Sequence, residues 1–307
     1  MLCLKFNRFA YICKLNGRDT PTAKRPGAAP LFANHGDTHS ANTTMNTLTI
    51  RLSRQRIIFC TYNRLVDRMP DYEVYGNDPG ISLNANIHKA IRTSTLAQEA
   101  YDTVEVYCTE PTTLVPLREF EEEDAADIFF FNYPSLKQSN KVFYDALPYL
   151  NAILVFSLDK GVCHSLREAY PQARFHSTLT SLVLQHASRY PFQATGPRLY
   201  CYANEDKLTL TVIKDGQINF MNTYTLHHSA DALYYIASVA KRHRVATSGE
   251  DLLVCGDKDL AADIAGNLGK IGRNGFLMKD AEELSHHPLS EIEQFPYDFK
   301  VLLLKAF

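Results

Sequence analysis

An order of secondary-structure elements that occurs twice constrains the fold of this chain more than any other feature. In the first half, two β-rich runs lie on either side of a polar turn near Ser53–Arg56, and a short third run, YEVYG, follows at Tyr72–Gly76. The stretch LNANIHKAIRTSTLAQEA (Leu83–Ala100) places apolar residues at helical spacing. Another strand, TVEVYCTE, is predicted at Thr103–Glu110. The first half is therefore expected to begin with three strands, a helix and a fourth strand.

The second half repeats this order. RLYCYAN and KLTLTVIK flank a predicted turn at Glu205–Asp206, and QINFMNTYTL supplies the third strand. Between the second and third strands, Gly216 can take the positive φ that a tight hairpin needs. Ser229 is expected to cap the next helix, whose last turn carries cations. The strand EDLLVCGD follows, and a second helix is expected to end at Gly269.

Two copies of one unit predict an α/β protein with two similar lobes and a cleft between them. The copies share element order and not residue identity. We expect a first lobe over residues 45–190 and a second over 191–307, with a linking helix at Thr178–Tyr190. The intervening segment, residues 134–171, is expected to supply further strands and a helix that complete the first lobe.

The first 44 residues differ in composition from the rest. Charged and polar residues interrupt the apolar ones before a signal-peptide core can form, and residues 16–44 contain few large apolar groups. Met45 directly precedes the first predicted strand. We therefore interpret residues 1–44 as a disordered leader upstream of a translation start at Met45; a basic targeting peptide is the functional alternative.

Composition predicts a cytoplasmic protein without membrane insertion. The formal net charge is −2, which favours neither nucleic acid nor an acidic membrane surface. No apolar run approaches the ~18 residues that a membrane-spanning helix needs. The odd cysteine count and the absence of a C-x-x-C pair indicate reduced, mostly buried thiols. The cysteines are Cys3, Cys13, Cys60, Cys108, Cys163, Cys201 and Cys255.

This arrangement is similar to the actin-like ATPase fold, which is built from two ribonuclease-H-like βββαβα lobes. It resembles more closely an uncharacterised family from Bacteroides-type bacteria with that fold, over Met45–Phe307. The stretches that carry the resemblance are LTIRLSRQRIIFCTYN, the meander LTLTVIKDGQINFMNTYTL with its helix, and the closing FPYDFKVLLL. The resemblance implies the fold and no particular activity.

Functional ATPases of this fold carry D-x-G at two hairpins, where the Asp arranges Mg²⁺ and water and the Gly lets backbone N–H groups approach phosphate. The matching positions of this chain are Arg51 and Ser53 at the first hairpin, and Tyr202 and Asn204 at the second. The Gly pair that makes room for adenosine becomes Gly256–Asp257. The resemblance therefore implies a degenerate nucleotide site.

Two functions remain open at this cleft. We favour a non-catalytic binding or scaffold protein that has no cofactor and binds another protein. The alternative is a nucleotide-binding protein or weak ATPase, with ATP as cofactor and cations as phosphate ligands; another enzyme on the same scaffold is a third reading. Alternation along the first strand leaves open which face carries Arg51. The three turns are expected to meet in one groove, whose candidate residues are Arg51, Ser53, Arg54, Asn204, Lys207, Gly256 and Asp257.

Other clusters favour structural interpretations. The acidic stretch Glu119–Asp127 could hold a metal, but it suits the first turn of a surface helix. The cations Lys241–Arg244 form a small footprint for nucleic acid and complement a helix C-terminus. Cys163–His164 lacks a third group to orient a catalytic dyad. Adjacent histidines, at residues 227–228 and 286–287, lack zinc-ligand spacing.

Overall fold

A computed structural model describes residues 46–63, 69–190, 196–246, 251–279, 284 and 287–304. The expected leader, residues 1–44, lies outside the described residues. The strands are β1 (Thr47–Leu52), β2 (Arg56–Thr61), β3 (Asp71–Gly76), β4 (Thr103–Cys108), β5 (Thr112–Pro116), β6 (Asn140–Leu147), β7 (Ala152–Asp159), β8 (Arg174–Ser177), β9 (Arg198–Asn204), β10 (Lys207–Lys214), β11 (Gln217–Thr225), β12 (Leu252–Gly256) and β13 (Phe276–Leu277). The α-helices are α1 (Leu83–Thr93), α2 (Ala125–Asn132), α3 (Lys160–Ala169), α4 (Thr178–Ser188), α5 (Ser229–His243), α6 (Lys258–Asn267) and α7 (Tyr297–Leu304).

The predicted duplication is present in the sheets. The first five-stranded sheet has the order β3-β2-β1-β4-β8, and the second has the order β11-β10-β9-β12-β13. In each sheet the first three strands in sequence are antiparallel neighbours, and the last two run parallel to the central strand. The α/β class and the repeated order of elements are thus confirmed.

Alternation along β1 divides its side chains between two environments. Leu48, Ile50 and Leu52 are buried in a core with residues of α1 and α3. Arg51 belongs to the opposite face, because successive side chains of a strand point to opposite sides of the sheet. The face that carries Arg51 is turned toward the C-terminal helix.

The middle segment, residues 134–171, contains the expected strands and helix, namely β6, β7 and α3. Its two strands do not join the first five-stranded sheet but pair with β5 in a separate antiparallel sheet of order β5-β7-β6. Asn151, with φ of 49°, closes the short connection between β6 and β7 and so directs β7 back along β6. Helix α2 covers one face of this sheet through Phe129. The first lobe therefore contains two sheets.

The C-terminal segment lies between the halves of the molecule. Phe295 and Phe299 pack on Ile58 and Cys60 of β2, in the first sheet. Tyr297 and Val301 pack in a second cluster with residues of α4 and of the second sheet. The sequence places this segment in the second lobe, but the side chains of α7 contact residues of both five-stranded sheets.

Some predicted helix ends move by a few residues. His228, not Ser229, is the N-cap of α5, and its amide donates to the Asp231 carboxylate at 3.0 Å. Gly272, not Gly269, takes the left-handed conformation after α6 and the 3₁₀ turn that follows it. The hairpin prediction at Gly216 is confirmed by its φ of 71°.

The five described cysteines, at positions 60, 108, 163, 201 and 255, are buried thiols, as predicted. Cys3 and Cys13 lie outside the described residues. Within the described ranges, no helix is long and apolar enough to cross a membrane.

Candidate functional site

Arg51 of β1 and Tyr202 of β9 meet on the carboxylate of Asp298 in α7. Arg51 Nε donates to Asp298 Oδ2 at 2.8 Å, and Nη2 donates to Oδ1 at 3.1 Å. The Tyr202 hydroxyl donates to the same Oδ1 at 2.5 Å. The two positions where the ATPase pattern has aspartates are therefore joined through an acid that comes from elsewhere in the chain.

The charges of this three-residue group are matched in a buried environment. Arg51 is 0% exposed and Asp298 is 1% exposed. Burial works against the charged guanidinium, but the charge of Asp298 outweighs it, and the pKa of Arg51 is raised. Burial, followed by the Asp298 charge, raises the pKa of Tyr202 well above its usual value. At neutral pH the group is an ion pair with a neutral phenol as second donor.

One polar atom of the group remains unsatisfied by the described residues. Arg51 Nη1 is buried and has no hydrogen-bond partner in the described parts of the chain. A guanidinium has five N–H donors, and the bonds to Asp298 use the Nε and Nη2 side of the fork. This atom can donate to a water or a ligand oxygen.

The first hairpin turn is held by its own backbone. Ser53 is buried, its amide donates to the Arg56 carbonyl at 3.0 Å, and its hydroxyl accepts from the Arg56 amide at 3.2 Å. The side chain of Asn77 bonds the carbonyls of Ser53 and Arg54. Arg54 itself is exposed at the tip. Ser53 thus shapes the turn, and Arg54 is the cation that the turn presents.

The second hairpin and the turn after β12 are bonded to each other. The Asp257 carboxylate accepts from the Glu205 amide at 2.7 Å, and the Asp257 amide donates to the Ala203 carbonyl at 2.8 Å. Glu205 takes a left-handed φ of 55° in the tight turn after Asn204, which is buried. Asp257 is therefore engaged with the hairpin.

Gly256 allows the end of β12 to lie directly against the backbone of Ala203 in β9. Its φ is 123°, and a Cβ at this position would lie 1.8 Å from the Ala203 carbonyl oxygen. The resemblance implied that this glycine makes room for adenosine. In the structure, the space that its missing side chain leaves is filled by the backbone of β9.

A cation and an acid lie where the first and second hairpins meet. Lys207 Nζ is 3.5 Å from the carbonyl of Thr109, whose amide bonds Leu52 at the end of β1. Burial raises the pKa of the neighbouring Glu110, while the positive charges of Lys207 and Arg54 oppose this shift. Lys207 and Arg54 thus both lie within electrostatic reach of Glu110.

The candidate residues separate by their contacts. Asp257 bonds the second hairpin, Lys207 lies beside Thr109, and Arg54 is exposed at the tip of the first hairpin. Arg51 and Tyr202 lie in the buried contact with α7. Sequence reasoning missed Glu110 and Asp298; the signal for Asp298 was a lone carboxylate in the apolar stretch FPYDFKVLLL. Among the residues that the structure describes, no group of three or more His, Cys, Asp or Glu side chains could hold a metal ion.

Two repeated sheets with the hairpins at their junction define the actin-like ATPase fold. A solved protein of Bacteroides thetaiotaomicron, described as having an actin-like ATPase fold and unknown function, is similar with a TM-score of 0.73 and 23% identity, over 88% of this chain and 100% of that one. The PilM–PilN type IV pilus biogenesis complex is similar with a TM-score of 0.56 and 10% identity, over 85% and 99%.

The chain belongs to the family described as "Protein of unknown function (DUF3822)", whose model matches residues 35–269. Among curated proteins, none matches this sequence. The predicted resemblance to an actin-like family of Bacteroides type is thereby confirmed.

Proposed function

We propose that this protein is a non-catalytic binding or scaffold protein in which side-chain contacts, rather than a bound nucleotide, join the two lobes. The observation that carries the proposal is the buried ion pair of Arg51 and Asp298. In the ATPases that the fold resembles, the position of Arg51 holds an aspartate that arranges Mg²⁺. A guanidinium there repels a divalent cation and neutralises the carboxylate within reach.

The second hairpin supports the same conclusion. Tyr202 occupies the other aspartate position, and its hydroxyl is committed to Asp298. Asn204 and Glu205 bring side chains to a turn where glycine would leave the backbone open to phosphate. Gly256, the one glycine retained from the pattern, packs against Ala203. We infer that the nucleotide site is degenerate at all three turns.

A protein is the partner class that we favour. The structural neighbour PilM–PilN is a complex of two proteins, so a chain of this fold occurs in a protein assembly. A formal net charge of −2 does not favour nucleic acid. Buried thiols fit a reducing compartment, and we propose that the protein acts in the cytoplasm without a cofactor.

One observation favours the alternative, a nucleotide-binding protein or weak ATPase with non-standard ligands. Arg54 and Lys207 both bring positive charge close to Glu110, and Arg51 Nη1 has an unused donor among the described residues. Phosphate held by these groups would bind through cations alone. Its affinity would therefore not require Mg²⁺.

Thermal unfolding in the presence of ATP or ADP, each with and without Mg²⁺, tests the proposal. A nucleotide at 100-fold its dissociation constant would add ~2.7 kcal/mol to the free energy of unfolding. We expect no shift in Tm and no ATP hydrolysis above a no-enzyme control. A shift that is lost in Arg54→Ala/Lys207→Ala, but kept in a Lys214→Ala control at the far hairpin, would overturn the proposal.

A further inference from the structure

A basic ridge lies where α3 of the first lobe faces the edge strand β6. We define it by four exposed residues, Lys141 of β6 and Lys160, His164 and Arg167 of α3. The three α3 residues recur at i, i+4 and i+7, which places them on one side of the helix. The ridge therefore combines positive charge from two separate elements.

Both ends of the ridge lie close to the same aromatic ring. Lys141 Nζ is 5.7 Å from the centre of the Phe143 ring, and Arg167 Cζ is 6.0 Å from it. Arg167 also lies 5.3 Å from the centre of Phe175. The rings attract each cation and hold the long side chains in place.

Lys160, at the first residue of α3, is positioned by hydrogen bonds. Lys160 Nζ donates to the Gln138 carbonyl at 2.7 Å, and the Lys160 amide donates to the Ser139 carbonyl at 2.8 Å. These bonds keep the head of α3 beside the first residues of β6. The cations thus have a defined arrangement instead of projecting separately into solvent.

No described carboxylate pairs with these cations. Within the described residues, Lys141, Lys160 and Arg167 form no salt bridge. The nearby carboxylates bond other groups. Asp159 is the N-cap of α3 and accepts from the amides of Gly161 and Val162. Asp145 of β6 forms hydrogen bonds with His176, Ser177 and Thr180.

The acid on α3 belongs to another side of the helix. Glu168 follows Gly161 and Ser165 at helical spacing, and Ser165 bonds Asn84 and His88 of α1. The ridge therefore presents cations that form no salt bridge with a described carboxylate, on a protein whose formal net charge is negative.

We propose that the basic ridge is a docking surface for an acidic segment of a protein partner. This inference rests on the proposed binding function and names its partner class. Three permanent cations match two or three carboxylates of a short peptide. They fall below the 6–10 phosphate contacts that give strong DNA binding and the clusters of 4–8 basic residues that recognise anionic membranes.

A fluorescent peptide of ten glutamates is the probe, measured by anisotropy with the full chain at low and high salt. We expect saturable binding that weakens as salt rises. The variant Lys141→Glu/Arg167→Glu is expected to bind at least tenfold more weakly. The control Lys214→Glu/Lys241→Glu changes the net charge by the same amount at exposed residues outside the ridge. Its affinity for the peptide should stay within twofold of wild type.

Loss of the ring contacts could unfold the charge-reversed variant, so Lys141→Gln/Arg167→Gln is measured as well, with Tm as the test of folding. A folded glutamine variant should also bind at least tenfold more weakly. Absence of peptide binding, or equal loss in ridge and control variants, would overturn the inference. It would also be overturned by tighter binding of duplex DNA or of phosphatidylserine vesicles, or by a ridge-dependent dimer of this chain. The nucleotide measurement tests the proposed function separately, so either idea can fail alone.

Discussion

Arg51 and Asp298 form a two-point ion pair although 247 positions separate them in the sequence. The pair connects the central strand of the first sheet to the C-terminal helix, and Tyr202 extends it to the central strand of the second sheet. Because all three side chains are buried, the contact is shielded from water and salt. This polar contact therefore adds to the apolar packing through which α7 joins the two sheets.

Removing the acid of this pair should destabilise the protein strongly. Asp298→Asn leaves the Arg51 cation buried without a counter-charge, which typically costs 3–5 kcal/mol. Tyr202→Phe removes one hydrogen bond to a charged group and should cost about 1.5–3 kcal/mol. Urea unfolding gives both values.

The double variant Arg51→Met/Asp298→Leu is the control for that interpretation. It removes both charges, so its loss of stability should be smaller than that of Asp298→Asn. If the double variant loses as much stability as the Arg51→Met and Asp298→Leu single variants do together, the two residues act independently.

Gly256→Ala should be among the most damaging small substitutions in this chain. The new methyl group would lie 1.8 Å from the Ala203 carbonyl oxygen, and φ is 123°. We expect a loss of more than about 4 kcal/mol, or no soluble protein. Gly216→Ala is the matched control: φ is 71°, nothing lies within 4 Å, and the expected cost is about 1–2 kcal/mol. Similar losses in the two variants, measured by urea unfolding, would contradict the role given to Gly256.

His176 should make stability fall as pH rises above neutrality. Its ring bonds Asp145 through Nδ1 and Glu105 through Nε2, each at 2.9 Å. Burial lowers its pKa, but the two carboxylates outweigh burial and raise the pKa to about 9. The folded pKa exceeds the unfolded value of ~6.5, so the contribution is complete below pH 6.5 and is lost as pH rises to 9.

His176→Gln tests this expectation through urea midpoints between pH 6 and 9.5. The variant should be less stable than wild type at pH 6 and should approach it at pH 9.5. Parallel profiles would show that the ring does not change its charge across this range.

His186 should have the opposite dependence. It is buried in α4, with its ring 4.4 Å from that of Tyr200, and Nε2 lies 3.7 Å from Cys255 Sγ. Burial, with a smaller effect of Arg189, lowers its pKa to about 3. Because the folded pKa lies below the unfolded one, stability is complete above pH 6.5 and falls toward pH 3.

His186→Phe keeps a planar ring beside Tyr200 but cannot take up a proton. The difference in unfolding free energy between wild type and variant should therefore shrink or reverse between pH 7 and pH 4. A difference that stays constant over this range would count against a neutral buried imidazole.

The order of elements and the turn residues were predictable because they depend on local signals. Runs rich in β-formers on either side of polar turns identified β1, β2, β9 and β10, and the positive-φ position at Gly216 followed from hairpin geometry. The separate sheet β5-β7-β6 was not predicted, because strand partners depend on contacts that periodicity does not specify.

The sequence by itself determined the duplicated α/β class and the position of the hairpin turns, and the resemblance matched Arg51 and Tyr202 to the ATPase aspartates. Only the tertiary structure decided what these two side chains contact. Alternation allowed Arg51 on either face, and the lone carboxylate in FPYDFKVLLL did not identify its partner, because a contact across 247 positions depends on how α7 packs between both sheets. The requirement for glycine at position 256 also depends on the tertiary structure. The backbone of β9 occupies the space that a Cβ would need, and the sequence does not show that β9 lies there.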